Sequence, residues 1–291
     1  MLICSLIAPS GGLSVDMAGN LFSAWGGREL TWLHPREAAE FEIAAMPENR
    51  WQVWQDLQEM RVDLVVQPKA GRRKKLLLAD MDSTMIQQEC IDELADLAGV
   101  GAQVKGITAK AMNGELDFEQ ALRARVALLE GQPASIIDQA LKTRIFFTAG
   151  GAELLATMKA NGAYSALVSG GFTAFTQPVS QHLGFHEHHA NQLLGDYGVV
   201  TGLVSDPILG QQAKVEALER LTAQLSITAQ DVLAVGDGAN DLGMLKRAGS
   251  GVALHAKPSV AAQCDIRINH GDLTALLFLQ GYPRSAFRTA V

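Results

Sequence analysis

Three apolar runs in this chain each stop at residues able to do chemistry. Leu76-Leu77-Leu78-Ala79 runs into Asp80 and Asp82, and Ala166-Leu167-Val168 runs into Ser169-Gly170-Gly171. Val232-Leu233-Ala234-Val235 runs into Gly236-Asp237-Gly238-Ala239-Asn240-Asp241. Short apolar runs alternating with helical periodicity are the pattern of parallel strands buried on both faces, because crossover helices cover the sheet. The fold class is therefore α/β, a doubly wound parallel Rossmann-like sheet. In such a sheet the loops beyond the carboxyl ends of the strands share one crevice, so the polar residues that follow these runs are the site candidates.

The rest of the chain divides around that pattern. Residues 1–70 read as strand, helix, strand, strand, helix, strand, a βαββαβ order that makes a small α+β module resembling an ACT-like domain. All four tryptophans, Trp25, Trp32, Trp51 and Trp54, fall within it, and Trp51 and Trp54, spaced i, i+3, are expected to pack against its sheet. Pro68 to Lys75, with the basic run Arg72-Arg73-Lys74-Lys75, reads as a solvated linker. Residues 71–85 and 148–291 form the catalytic core, and 86–147, helical almost throughout, reads as an inserted helical cap. Within the core, Leu193 to Val204 reads as a hairpin turning at Gly195-Asp196-Tyr197-Gly198.

Charge and cysteine usage exclude several function classes. Lys and Arg number 24 against 31 Asp and Glu, a net charge of −7, which disfavours nucleic acid or an anionic membrane as partner. The apolar start from Met1 to Pro9 is too short to span a bilayer, and no basic residue occurs before Arg28, so it is expected to be neither a signal peptide nor an anchor. Cys4, Cys90 and Cys264 show no paired spacing, which fits a reducing, cytoplasmic compartment and no structural zinc. His186, His188 and His189 read as a solvated loop.

Two carboxylates at a buried strand end repel one another unless a cation or shared proton relieves them. Read singly, an Asp-rich turn caps a helix, Ser-Gly-Gly is a turn, and Lys214 is a solvated helical lysine. Together the three strand ends supply hard oxygen ligands suited to Mg²⁺ and a substrate phosphate. An ionised Asp is also a competent nucleophile toward phosphorus.

Asp80-Met81-Asp82-Ser83-Thr84, Ser169-Gly170-Gly171-Phe172, Lys214 and Gly236 to Asp241 resemble the four motifs of the haloacid-dehalogenase-like phosphatases, more narrowly the branch acting on O-phospho-L-serine. The resemblance implies Asp80 as nucleophile and Asp82 as general acid and base. It implies Mg²⁺ held by the Asp80 carboxylate, the Asp82 backbone carbonyl and Asp237, with Asp241 supporting the site. Ser169, Gly170 and Lys214 would bind the phosphoryl group, and Asn240 would orient it. In the cap, Glu89, Phe118 and Arg125 fall at the family's substrate-binding positions, with Met112 lining the same pocket. Arg125 suits a carboxylate and Glu89 an ammonium. The implied activity is hydrolysis of O-phospho-L-serine through an aspartyl-phosphate, the last step of serine biosynthesis. The alternatives are a related small-molecule phosphatase or phosphotransferase, or a serine-sensing, dimerising role for the first module; a homodimer fits the latter.

Overall fold

The computed structural model describes residues 1–112 and 115–289 of the chain, without the side chain of Met112. The first module runs β1 (Leu2–Ile7), α1 (Val15–Ala24), β2 (Arg28–His34), β3 (Ala38–Ile43), α2 (Arg50–Glu59) and β4 (Asp63–Pro68). Its four strands form an antiparallel sheet in the order β2-β3-β1-β4. Ser14 caps α1 by accepting from the Met17 N–H, and the helices bury Ala18 and Leu57, with Leu13 just before α1, against Cys4, Leu6, Phe41 and Val66.

A second sheet begins at β5 (Leu76–Ala79), after which come α3 (Cys90–Leu97), α4 (Gly101–Met112), α5 (Phe118–Ala127) and α6 (Ser135–Thr143). The chain returns through α7 (Gly151–Ala160), β6 (Tyr164–Phe172), α8 (Thr173–Leu183) and β7 (Glu187–Asn191). The hairpin β8 (Leu193–Asp196) and β9 (Val199–Val204) precedes α9 (Gln211–Gln224), β10 (Val232–Gly236), α10 (Leu242–Arg247) and β11 (Ser250–Leu254). The described chain closes with α11 (Pro258–Ala261), β12 (Ile266–Ile268) and α12 (Ala275–Leu279). The six strands run in the order β12-β11-β10-β5-β6-β7, every pair parallel. Leu76, Leu77 and Leu78 are fully buried, each contributing about 1.5–3 kcal/mol of transfer free energy. With β10 on one side of β5 and β6 on the other, the strand order reverses there, which opens a crevice at the carboxyl end of β5.

Two antiparallel crossings join the helical insertion to the sheet: Ile86 bridges Phe147, Gln87 N–H donates to Phe146 O, and Thr148 N–H donates to Met85 O. The β8–β9 hairpin docks on the insertion, with Gly131 N–H on Val200 O and Ala134 N–H on Gly198 O. Among the described residues no helix is long and apolar enough to cross a membrane.

The structure departs from the sequence reading in four places. The basic run is only partly solvated: Arg73, over the Tyr282 ring, and Lys75 are exposed, but Arg72 makes a two-pronged ion pair with Glu40 at 2.6 and 2.8 Å, and buried Lys74 donates to Gln230 O. The histidine cluster is not a solvated loop: His188 and His189 lie in the edge strand β7, His186 just before it meets Ser165 and stacks on Tyr164, and Glu187 gathers Arg220 and His189. Ser169-Gly170-Gly171 does not turn, because β6 continues through it to Phe172 with a register shift opposite β7. Trp54 packs on the first sheet, but both Trp51 and Trp54 lie under the Arg267 guanidinium of β12. The two units are further joined by the fully buried Asp63 carboxylate, which accepts the backbone N–H groups of Asn269, His270 and Gly271.

Candidate active site

A cavity of about 500 Å³ opens at the carboxyl ends of β5, β6 and β10 and is walled by α3 to α5. Asp80, Asp82, Glu89, Phe118, Arg125, Gly170, Asp237 and Asn240 all line it. Ser169 and Lys214 stand directly behind, bonded to two of these residues. Met112 ends α4, and its side chain lies outside the described residues.

The floor is an ionic cluster. Lys214, 1% exposed, donates to Asp80 Oδ1 and to Asp241 Oδ1, both at 2.6 Å. The other Asp241 oxygen accepts the Asp237 and Gly238 N–H groups at 3.1 and 2.9 Å, tying the turn after β10 to this lysine. Gly236 makes that approach feasible, since a methyl group there would stand 2.3 Å from Asp241 Cγ. Asp80, Asp237 and Asp241 each offer an oxygen, all within 4.8 Å of one another. Three carboxylates against one ammonium leave two unbalanced negative charges in a buried pocket. That deficit and an all-oxygen donor set fit a divalent cation of the Mg²⁺ type. The acids respond accordingly: burial, then the Asp241 charge, raises both Asp80 and Asp237, the latter to about 6. Burial opposes charge on Lys214, but the two carboxylates beside it prevail and keep it protonated.

Asp82 belongs to a different environment. One oxygen accepts the Cys90 N–H at 2.9 Å and the other the Ser169 hydroxyl at 3.1 Å, so its carboxylate is held by neutral donors and is not one of the three clustered acids. Burial raises it while those hydrogen bonds pull it down. The strand end thus presents two chemically distinct carboxyls, one against an ammonium and an acidic cluster, the other among neutral donors. This is a division suited to one nucleophile and one proton carrier.

In the outer part of the cavity, Ser83 donates to Glu89 at 2.8 Å. Glu89 is open to the cavity but walled by protein, and desolvation followed by the Asp82 charge pushes its carboxyl up to about 7. Half-buried Arg125 lines the cavity and spends its Nε on Ala121 O at 3.2 Å. Sequence reasoning did not single out Asp92, Gln211 and Lys257, which also line the space. Nothing in their local sequence marks them, because they reach it from three separate elements.

The phosphoserine phosphatase of Haemophilus influenzae is 47% identical over 204 residues, covering 70% of this chain and 65% of that protein, so the chain spans just under two thirds of its length. The phosphoserine phosphatase of Methanocaldococcus jannaschii is 43% identical over 206 residues, covering 71% of this chain and 97% of that protein. Among solved structures, a HAD family hydrolase from Salmonella enterica serovar Typhi superposes with a TM-score of 0.87 at 29% identity, covering 96% of this chain and 98% of that one. A phospho-aspartyl intermediate analogue of phosphoserine phosphatase superposes with a TM-score of 0.66 at 43% identity, covering 71% and 98%. The model of haloacid dehalogenase-like hydrolases matches residues 77–246, from the strand that carries Asp80 to the helix that follows Asp241. On this match and these relatives, the chain belongs to the haloacid dehalogenase-like hydrolase family, alongside the phosphoserine phosphatases.

Proposed function

We propose that this chain is a cytoplasmic, Mg²⁺-dependent phosphomonoesterase that hydrolyses O-phospho-L-serine to L-serine and phosphate, the last step of serine biosynthesis. The observation that carries the reading is a single cavity lined by Asp80, held against Lys214, at one place and by Arg125 and Glu89 at another. Residues 86–147 act as the cap that reads the serine moiety, and the 71–85 and 148–291 core does the phosphoryl chemistry. Residues 1–70 form a separate docked module.

Asp80 attacks phosphorus, forming an Asp80–phosphorus bond as the bond to the serine oxygen breaks, and Asp82 gives its proton to the departing alkoxide. Asp82 then takes a proton from water, whose oxygen displaces Asp80 and releases phosphate. Two of the three Lys214 N–H groups go to Asp80 and Asp241, which leaves the third for a phosphoryl oxygen. The Gly170 backbone and the Asn240 amide complete the phosphoryl pocket, joined by the Ser169 hydroxyl when Asp82 carries a proton and releases it. Mg²⁺ held by Asp80, the Asp82 carbonyl, Asp237 and Asp241 would neutralise charge on the transferring group and keep Asp80 ionised.

Arg125→Ala removes the bidentate partner of the substrate carboxylate. KM for O-phospho-L-serine should rise about 100-fold, the cost of roughly 2–3 kcal/mol of charged hydrogen bonding. KM for p-nitrophenyl phosphate, which has no carboxylate, should move little. Equal effects on the two esters in steady-state assays would remove the carboxylate-reading role.

Glu89 adds a pH signature. Its carboxyl is protonated below about 7 in the free protein, whereas an ammonium needs it ionised. kcat/KM for phosphoserine should therefore fall about tenfold per pH unit on the acid side of 7. Glu89→Gln should flatten that limb; a profile unchanged by the substitution would assign the limb to another group.

A further inference from the structure

Phe118 opens α5 and directs its ring between two glycines of the core. A methyl group built on Gly170 would stand 3.0 Å from Phe118 Cζ, and one on Gly210 3.2 Å from Phe118 Cδ1. Backbone conformation demands neither glycine, since Gly210 has φ −107° and Gly170 is not in the left-handed region. Gly210 also holds the N-cap of α9 without a side-chain cap, where Ser, Asp or Asn would satisfy an orphan N–H. What the two glycines provide is space for the ring.

One buried side chain holds both walls of that space. The Asn191 amide, 2% exposed, donates to Gly170 O at 2.8 Å and to Leu209 O at 3.2 Å, and accepts from the Leu209 N–H at 2.7 Å. The segments carrying Gly170 and Gly210 therefore share one rigid tie at the end of β7.

We infer that Gly170 and Gly210, tied by Asn191, form a seat for Phe118 that fixes how α5 stands over the phosphoryl pocket, making Gly210 a specificity-determining residue. The inference rests on the phosphoserine reading above. Phe118 and Arg125 are spaced i, i+7 on one face of α5, and both line the cavity. Lifting the ring tilts this stiff two-turn segment and carries Arg125 away from the carboxylate it reads. A two-pronged contact tolerates little displacement.

Gly210→Leu fills the seat. KM for O-phospho-L-serine should rise about tenfold, because a shift well under 1 Å already costs that much in positioned contacts. KM for p-nitrophenyl phosphate should stay within about twofold, the ordinary range for a residue that acts only through the carboxylate contact. In a Phe118→Ala background the leucine has room, so adding Gly210→Leu should there change KM by less than about twofold. A defect in α9 or in Lys214 would persist without the ring. Hydrogen exchange over residues 118–127, which needs no substrate, should quicken in Gly210→Leu.

Hydrolysis of neither ester by the wild type would overturn the functional reading and with it the specificity role, and the exchange result would still decide whether the seat exists. Wild-type hydrolysis of phosphoserine combined with unchanged KM and exchange in Gly210→Leu would overturn the seat alone. So would an effect that survives undiminished in the Phe118→Ala background.

Discussion

Asp80→Asn should abolish turnover, by about 10,000-fold or more, the scale on which removal of a covalent nucleophile acts. The amide keeps the size and the Lys214 contact of the aspartate but cannot attack phosphorus. Protein mixed with ³²P-phosphoserine and quenched in acid should retain label in the wild type and lose it in the variant. The fold should survive. Burial and the Asp241 charge raise the Asp80 carboxyl in the folded chain, so its ionised form weakens the fold as pH rises above the unfolded value of about 3.9. Without a divalent ion, the uncharged variant should melt no lower than the wild type at neutral pH. Wild-type-like rates, or label retained in the variant, would end the assignment of Asp80.

Lys214→Met should damage both stability and catalysis. Removing the ammonium 2.6 Å from Asp80 and from Asp241 leaves two buried carboxylates facing each other. Breaking a buried ion pair from one side costs about 3–5 kcal/mol, and for a chain of this size that lowers Tm on the order of 10 °C. Loss of a charged donor to the transferring phosphoryl group should cut kcat about 100- to 1,000-fold besides. The stability loss should shrink when a divalent cation is added, because the cation offsets the same charge. A melting temperature unchanged by the substitution would mean that Lys214 does not hold the cluster together.

The fold was largely legible because its strongest signals are local. Leu76 to Ala79 and Val232 to Val235 are wholly apolar and fully buried in the sheet centre, so composition alone marks them. The edge strand β7, Glu-His-His-Ala-Asn, has no apolar alternation to betray it. It pairs with β6 because its polar side chains find Thr176 and Arg220 in three dimensions, and His186 just before it finds Ser165. Ser169-Gly170-Gly171 was misread for a related reason, since glycines that mark turns also serve strands where another group must come close, here Phe118 and Asp82.

At the site, strand ends announced Asp80, Asp82 and Asp237 through physics, whereas Lys214, Glu89 and Arg125 were reachable only through resemblance. A buried lysine in the middle of a polar helix looks like any other until its two carboxylate partners, 134 and 27 residues away, are in place. Asn191 escaped altogether, because both elements that it ties are loops or strand ends far from it in sequence.

On the proposed function, one cavity joins a cation-dependent phosphoryl site to a reader of a small amino-acid ester. Phosphate release from O-phospho-L-serine, O-phospho-L-threonine and phosphocholine, with Mg²⁺ present and then chelated, tests both halves at once. Release should be fast from phosphoserine, slower from phosphothreonine and slight from phosphocholine, which lacks a carboxylate, and all release should cease on chelation. Equal rates on the three esters, or a rate indifferent to chelation, would contradict that function.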